Sequence, residues 1–294
     1  MFTITKHRFI YYSISAVIIL AGIIMGFVKG FNESVEFIGG TEISVEVGKA
    51  FDNAEIAKVV SDATGVEVST VQKMGDAKTQ ASIKSLELNS KQRDKATTAL
   101  KEKYGLDDNA ILSVDSVSAT VGSELKRNAL VGSLIAVLLM LVYISFRFEV
   151  LSGCAAVCAL IHDVLIMLSV YTIFQIPVDT SLIAALLTIL GYSINATIIL
   201  FDRVRENTRL KRKESFENIM NLSVRQTLGR SINTTVTTLI VLVVLWIMGV
   251  ESIKVFTIPI LVGVVAGLYS SVLLSGNFWI FFKKLRKDKN VSAQ

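Results

Sequence analysis

Six runs of apolar residues divide the chain, and each is about twenty residues long or slightly longer. The runs cover residues 10–28, 128–146, 151–173, 181–201, 232–250 and 256–282. An α-helix needs about twenty mainly apolar residues to cross the roughly 30 Å hydrocarbon core of a bilayer. The pattern therefore predicts a polytopic α-helical membrane protein with six transmembrane helices.

The segment between the first two runs, residues 29–127, has the patterning of a folded domain. Alternating apolar residues at Thr41–Val47 predict a strand, and the following helical stripe begins after Asp52 or Asn53, either of which is a suitable N-cap. The remaining predicted elements are strands at 66–71, 80–86 and 110–117 and a charged helix at 90–104 with Ser90 as its N-cap. The order β-α-β-β-α-β predicts an α+β, ferredoxin-like domain.

Charge predicts which side of the membrane each segment occupies. Segment 202–230 holds eight Lys or Arg against four acids, and the tail 283–294 holds five against one. With six alternating spans, these segments lie on the same side as the basic start of the chain and the connection at 147–150. The positive-inside rule makes that side cytoplasmic, with both termini there, and places residues 29–127 outside.

The overall composition agrees with a membrane protein. Hydrophobic residues make up 52% of the 294 residues, charged residues only 19%, and the formal net charge is +5. This excludes an ordinary cytosolic globule, a disordered chain and a collagen-like chain. The first span, 10–28, is too long for the apolar part of a signal peptide, so we expect an uncleaved anchor. The basic run 202–213 suits a membrane-proximal segment, and nucleic-acid binding is the alternative.

Polar residues within the predicted spans are the candidates for function, because burying them in lipid is costly. His162 and Asp163 lie near the middle of the third span. Asp163 has two interpretations, a hydrogen-bonded acid that holds helices together or a transport residue. The polar residues of the fourth span are Thr188, Ser193, Asn195 and Thr197. Arg230 is at the cytoplasmic start of the fifth span, where its head group can reach the interface or turn inward. A polar stripe continues from it along the same helix through Asn233, Thr234, Thr237 and Thr238.

Other sequence features carry less functional information. The pairs Gly22/Gly26 and Gly263/Gly267 have the spacing of close helix packing. Cys154 and Cys158 share one face of a helix, as packing residues or as half of a metal site. The sequence has no nucleotide-binding loop, zinc motif or nucleophile elbow, so we expect neither an enzyme nor a bound cofactor. Work in such a protein comes from an ion gradient or from movement of a partner.

Together, several motifs resemble the SecF family, the smaller membrane subunits of the bacterial SecDF translocation factor. They are Phe37–Thr41, Ser113–Val117 with Val121–Leu125, Ala159–Val164, Ala184–Asn195, Phe201–Asn207 and Arg225–Thr235. The resemblance covers essentially the whole chain and includes Gly39, Gly40 and Gly191 as structural glycines. Its fold agrees with the ferredoxin-like order read from the pattern.

The resemblance implies a function in protein export. Its members belong to the resistance-nodulation-division superfamily of proton-driven transporters and lie in the bacterial cytoplasmic membrane. They pair with SecD, whose six spans form a pseudo-symmetric second half. The pair draws unfolded exported polypeptide outward after the SecYEG channel and the SecA motor, with YajC and YidC as further partners. Membrane lipid is implied as a partner, and nucleic acid is not.

The chain departs from the family pattern at Ala196. Members usually have Asp there, a proton-carrying candidate that works with the Arg matched by Arg230. Alanine cannot titrate, which leaves Asp163 or the partner half to carry the proton. Asp202 or a partner carboxylate then becomes the expected counter-ion of Arg230. Ser118 and Ala119 also replace the Gly-Pro expected before the second span, which changes that linker.

Three functional hypotheses follow. The first is an ion-coupled SecF-like subunit, with Arg230, Asp163, Asn195, Thr197, Asp202 and Thr234 as candidate coupling residues around Ala196. Oxygens of Asn, Ser and Thr also ligate hard cations, so sodium is an alternative to the proton. The second hypothesis is a related exporter of lipid or small molecules. The third is a passive scaffold for SecD, which Ala196 favours.

The predicted domains are the first span with its cytoplasmic start (1–28), the outside domain (29–127), five spans (128–282) and a basic tail (283–294). The outside domain has no His, Cys or glycine-rich loop before a helix. We expect it to make surface contacts or to move as a lever, and a passive spacer is the alternative.

Overall fold

The computed structural model describes residues 4–75, 78–147, 149–249 and 251–292. The chain forms two compact units. One holds the chain up to Asn32 and from Gly132 onward, and the other holds Glu33–Val131. The predicted connection at 147–150 and the predicted tail 283–294 each include residues outside the described ones.

Ten helices and four strands make up the described regular structure, apart from short 3₁₀ turns and one π turn. The helices are α1 (Arg8–Lys29), α2 (Val35–Ile38), α3 (Asn53–Thr64), α4 (Ser90–Tyr104), α5 (Ala119–Arg147), α6 (Val150–Phe174), α7 (Ser181–Leu210), α8 (Phe216–Met248), α9 (Glu251–Tyr269) and α10 (Ser275–Ser292). The strands are β1 (Gly40–Glu46), β2 (Val68–Met74), β3 (Gln80–Ser85) and β4 (Ile111–Val117).

Six described helical segments are long and apolar enough to cross a membrane. They are Thr5–Lys29, Ala119–Ile144, Val150–Phe174, Ser181–Leu210, Phe216–Met248 and Phe256–Arg286. Each contains most or all of one predicted apolar run, so the six predicted spans are confirmed as helices of sufficient length. The last joins α9 to α10 through the π turn Ser270–Leu274.

The helices α7 and α8 extend well beyond their apolar runs. The segment 202–230 is therefore mostly helical, with its break only between Leu210 and Phe216. Pairs of polar side chains stabilise these extensions. In one such pair on α7, Arg203 Nη1 lies 2.6 Å from Glu206 Oε2. Hydropathy marks where a helix is apolar and gives no information about where a charged helix ends.

Helix α6 lies at the centre of the first unit and packs against α1, α7, α9 and α10. Small residues allow this close approach. A side chain at Gly22 would overlap Ser169 of α6, and one at Gly263 would overlap Ile189 of α7. The Cβ position of Gly267 lies 3.3 Å from Ser193 Cβ. The close packing predicted from the glycine spacing is confirmed.

The second unit is a four-stranded antiparallel sheet with the order β2-β3-β1-β4. Apolar side chains of the sheet and of α3 and α4 form its core, including Ile43, Ile83 and Leu100. Asp52 caps α3 by accepting from the Ala54 N–H, as predicted. The predicted cap of α4 is wrong: Asn89, not Ser90, caps it, because Asn89 and Gln92 form a reciprocal capping box.

Two glycines near the beginning of β1 adopt backbone conformations that other residues avoid. Gly39 has φ +75° and Gly40 has φ +127°. A Cβ at Gly39 would lie 2.5 Å from Ala119 Cα, and one at Gly40 would overlap the Ser85 carbonyl. Both positions therefore require glycine, for conformation and for space.

Candidate functional site

Asp163 lies at the centre of a buried cluster of polar side chains within the helices. Its side chain is fully buried, and one carboxylate oxygen, Oδ2, accepts two serine hydroxyls. The Ser270 hydroxyl donates from 2.8 Å, and Ser193 also donates to Oδ2. These contacts join α6 to α7 and to the π turn.

The adjacent His162 occupies the other carboxylate oxygen and reaches a fourth element. Its Nδ1 lies 2.9 Å from Asp163 Oδ1, and its Nε2 lies 2.8 Å from the Ser15 Oγ of α1. Neighbouring residues on a helix point about 100° apart, and these two indeed serve different helices while contacting each other. We call Ser15, His162, Asp163, Ser193 and Ser270 the buried polar centre.

An aromatic ring covers the imidazole. Tyr269 stacks on His162 with ring centroids 6.0 Å apart and planes 20° from parallel. The Tyr269 hydroxyl donates to the Tyr11 carbonyl at 2.7 Å, which ties this ring to α1. The imidazole is therefore held on one face by a ring and at both nitrogens by polar atoms.

The π turn places Ser270 beside the carboxylate. Inserting a wider turn into a helix shifts the side chains that follow it, and such turns are frequent at functional sites. The turn lies three residues after Gly267, where the absence of a side chain lets the sixth span approach Ser193. The Ser270 hydroxyl also lies 3.2 Å from the Gly267 carbonyl, which is an alternative acceptor.

Polar groups buried in the bilayer are costly and are retained mainly where they have a function or a partner. Asp163 has three such partners, the hydroxyls of Ser193 and Ser270 and the Nδ1 of His162. The centre therefore ties several helices together and is a candidate functional site.

A cavity of about 420 Å³ adjoins one side of this centre. His162, Ser15 and Tyr269 line it, and its other lining residues are aliphatic side chains of α1, α6, α8 and α9. Asp163 does not line it. His162 is thus the member of the pair that borders the cavity.

A second group of predicted residues lies on the outside of the helix bundle. This group comprises the exposed residues Thr188, Gly191 and Asn195 of α7 and Arg230, Asn233, Thr234 and Thr237 of α8. We call these seven residues the outer polar face. The Thr234 hydroxyl donates to the Arg230 carbonyl at 2.9 Å, so it adds no contact to another helix.

Two hydrogen bonds set the register of α7 against α8. The Tyr192 and Thr235 hydroxyls lie 2.7 Å apart, and Asn207 Nδ2 lies 2.8 Å from Ser223 Oγ. The helices are antiparallel, so position 196 lies at the level of Arg230 to Thr234. The half-buried Ala196 therefore shares a level with Arg230.

Other predicted residues have different surroundings. Asp202 is half-buried and lies 4.0 Å from Arg205 Nη1 rather than with Arg230. Among the described residues, no acidic side chain pairs with Arg230. Thr197 is buried, and its hydroxyl has no hydrogen-bond partner within the described chain. Gly191 is exposed with open space around it, unlike Gly39 and Gly40.

Sequence reasoning named Asp163, His162 and Ser193 but missed the other members of the buried polar centre. Ser15 and Ser270 are single serines within apolar runs. The interruption of the run is the one feature of the sequence that could have pointed to them. Across the described residues, no three or more His, Cys, Asp or Glu side chains are grouped as metal ligands would be.

Comparison with known proteins decides the family. Residues 96–285 match the family described as protein export membrane protein SecD/SecF, C-terminal. The protein translocase subunit SecF of Acidaminococcus fermentans is 35% identical over 97% of this chain and 99% of its own length. The chain belongs to the SecF family. Its members are named as subunits of a protein translocase, so this is a multi-pass membrane protein of protein export.

The family also includes longer chains in which the SecF part is one portion. SecDF of Bacillus subtilis is 37% identical over 97% of this chain, which spans 39% of that protein. The crystal structure of SecDF, a translocon-associated membrane protein from Thermus, matches with a TM-score of 0.84 and 28% identity. It covers 96% of this chain, which spans 39% of the matched one.

Proposed function

We propose that this SecF-family chain pairs with SecD in the bacterial cytoplasmic membrane and assists protein export with energy from an ion gradient. The pair acts on unfolded polypeptide after the SecYEG channel and the SecA motor, with YajC and YidC as further partners. Residues 202–230 lie on the cytoplasmic side, and residues 29–127 lie outside. The coupling ion in this proposal is the proton.

The observation that carries this proposal is the outer polar face. Arg230, Asn233 and Thr234 are exposed on a helix that is long and apolar enough to span the membrane. Lipid tails do not satisfy a guanidinium or an amide, so such groups face protein or a water-filled path. A SecD half provides that protein surface, and Asn195 of α7 is exposed as well.

Proton coupling needs an ionisable group within the membrane. The position at the level of Arg230 is Ala196, which has no such group. Asp163 is the fully buried acid of the described spans, and its hydrogen bonds join three segments of the bundle. We therefore assign coupling within this chain to Asp163, with Arg230 interacting with a carboxylate of the partner half.

We further propose that the second unit is a ferredoxin-like domain that moves with the membrane part. The sheet order β2-β3-β1-β4 and the element order β-α-β-β-α-β support this. Gly39 and Gly122 pack together where the chain enters and leaves this unit, with a Cβ at Gly122 3.0 Å from the Gly39 N. Such packing lets the two connections move as one.

Photo-cross-linking tests where the outer polar face lies. A cross-linker on Thr234→Cys, with Cys154 and Cys158 replaced by Ala, is expected to capture SecD in membranes containing both chains. Val17→Cys is the control, because Val17 is 66% exposed on the apolar outer face of α1. We expect this variant to label lipid. Capture of SecD by Val17→Cys alone, with none by Thr234→Cys, would contradict the proposed pairing.

One observation favours a second function, a scaffold that only stabilises SecD. Ala196 removes the titratable group from the position level with Arg230. A scaffold requires the outer polar face but does not require an ionisable group in the buried polar centre. An isosteric, non-ionisable replacement of Asp163 therefore distinguishes the two functions, because it should leave a scaffold unaffected and impair ion coupling.

A further inference from the structure

The ends of the first and third spans meet in a group of side-chain and backbone hydrogen bonds. Helix α1 ends at Lys29 and α6 ends at Phe174, and the turn from α6 to α7 lies beside the residues that follow α1. The Val178 N–H donates to the Asn32 carbonyl at 2.8 Å, and Asn32 Nδ2 donates to the Gln175 carbonyl at 2.9 Å. These two bonds hold the two connections together.

The Gln175 side chain joins the two helix ends directly. Its amide nitrogen, Nε2, donates to the Thr172 carbonyl of α6 at 2.8 Å and to the Gly30 carbonyl just after α1 at 3.3 Å. An amide nitrogen carries two hydrogens, so one side chain serves both carbonyls. We call Gly30, Asn32, Thr172, Gln175 and Val178 the helix clasp.

The carbonyls at these helix ends need such donors. The last carbonyls of an α-helix have no partner within the helix, and that end carries a partial negative charge. Contacts from Ser15 with His162 to Gly30 with Gln175 show that α1 and α6 run in the same direction. Two negative ends therefore lie side by side, and donation from Gln175 and Asn32 offsets their repulsion.

Gln175 has a backbone conformation that favours glycine. Its φ is +53°, in the left-handed region where helices commonly end with glycine. Strained residues of this kind cluster at functional sites, where the surrounding structure holds them. Glycine here would keep the cap of α6, in which the N–H of residue 175 donates to the Tyr171 carbonyl, and would lose only the side-chain bonds. The amide group is therefore what glutamine adds at this position.

Close packing between α1 and α6 continues in the turns before the helix clasp. Thr172 Oγ1 donates to the Gly22 carbonyl at 2.9 Å, and a Cβ at Gly26 would lie 3.4 Å from Thr172 Cγ2. A Cβ at Gly22 would overlap Ser169. The two helix surfaces interlock here, so sliding one helix along the other would break these contacts together with the helix clasp.

We propose that Gln175 is a positioning residue that fixes the chain leaving α1 to the end of α6, so that a displacement of the third span is passed on to residues 33–131. This inference rests on the proposed function, in which the second unit moves with the membrane part. Gly30 has φ +72° and open space around it, so no side chain would resist a bend there. The bonds at Gly30 and Asn32 restrain this bend, and Gln175 takes part in both.

Gln175→Gly tests the helix clasp without straining the fold, because glycine suits φ +53° and keeps the backbone cap. Spin labels on Phe31→Cys and Phe174→Cys, both exposed, report the distance between the two helix ends. They are placed in a chain with Cys154 and Cys158 replaced by Ala, in nanodiscs with SecD. We expect one narrow distance peak with glutamine at position 175 and loss of that peak in Gln175→Gly. An equally narrow peak in both would overturn the proposal.

Polypeptide release from vesicles with SecD separates this inference from the proposed function. We expect Gln175→Gly to lose most of the gradient-dependent release, and Gln175→Lys, whose ammonium donates to the same carbonyls, to keep it. A full response of Gln175→Gly, or an equal loss in both variants, would overturn the positioning role of the amide. A natural chain without any gradient response would instead contradict the proposed coupling, and the spin-label distances would still decide whether the helix clasp holds the two ends.

Discussion

Replacing Asp163 with asparagine is expected to preserve assembly with SecD and to lower gradient-driven polypeptide release by about tenfold or more. A tenfold loss corresponds to an increase of about 1.4 kcal/mol in activation free energy. The amide oxygen can accept from Ser193 and Ser270. The amide nitrogen can donate to His162 Nδ1 if the imidazole changes tautomer. The packing of the buried polar centre therefore survives, whereas its ionisable carboxyl group is lost.

Co-purification with SecD and release from membrane vesicles are the two measurements for this variant. Asp163→Leu is the matched comparison, because it leaves His162, Ser193 and Ser270 without their acceptor. Each buried orphaned group costs about 1–3 kcal/mol, so we expect loss of assembled protein. If asparagine also abolishes co-purification, Asp163 is a structural residue and its assignment to coupling is wrong.

Arg230→Ala is expected to have the second largest effect, a loss of most gradient-driven release with the chain still in the membrane. Arg230 is exposed on α8 and has no acidic partner among the described residues, so its guanidinium is available to a carboxylate of the partner half. A charged pair that loses one partner leaves the other charge buried and uncompensated. The effect therefore exceeds that of removing an ordinary surface charge.

Arg225→Ala is the matched control, because Arg225 is an exposed arginine five residues earlier on the same helix. Surface substitutions usually change a free energy by less than about 0.5 kcal/mol, which corresponds to about a twofold change in rate. We therefore expect release with Arg225→Ala to stay within about twofold of release with the natural chain. If the two variants lowered release equally, the net positive charge of α8 would be what matters, and a specific role of Arg230 would be contradicted.

Much of the membrane fold could be predicted from the apolar runs. A backbone in lipid must form all its own hydrogen bonds, and an apolar run of about twenty residues does so as an α-helix. Helix ends outside the runs could not, since α7 and α8 continue through charged sequence that hydropathy cannot delimit. The cap of α4 was misassigned by one residue, because Asn89 and Ser90 are both good caps and only the reciprocal bond with Gln92 selects Asn89.

The buried polar centre was predictable only in part. Asp163 and His162 stand out as ionisable residues within an apolar run. Their partners Ser15 and Ser270 come from spans 147 and 107 positions away in sequence, and nothing local indicates that these hydroxyls meet the pair. The π turn that positions Ser270 has no sequence signature of its own. The register that places Ala196 level with Arg230 likewise comes from contacts between helices.

The most direct test of the central claim is polypeptide release from membrane vesicles that contain this chain and SecD, with proton and sodium gradients varied independently. The natural chain and Ala196→Asp are compared side by side. Coupling through the buried polar centre predicts that the natural chain responds to the proton gradient and not to sodium. A response to either gradient that occurs only in Ala196→Asp would contradict it and identify the natural chain as a scaffold for SecD.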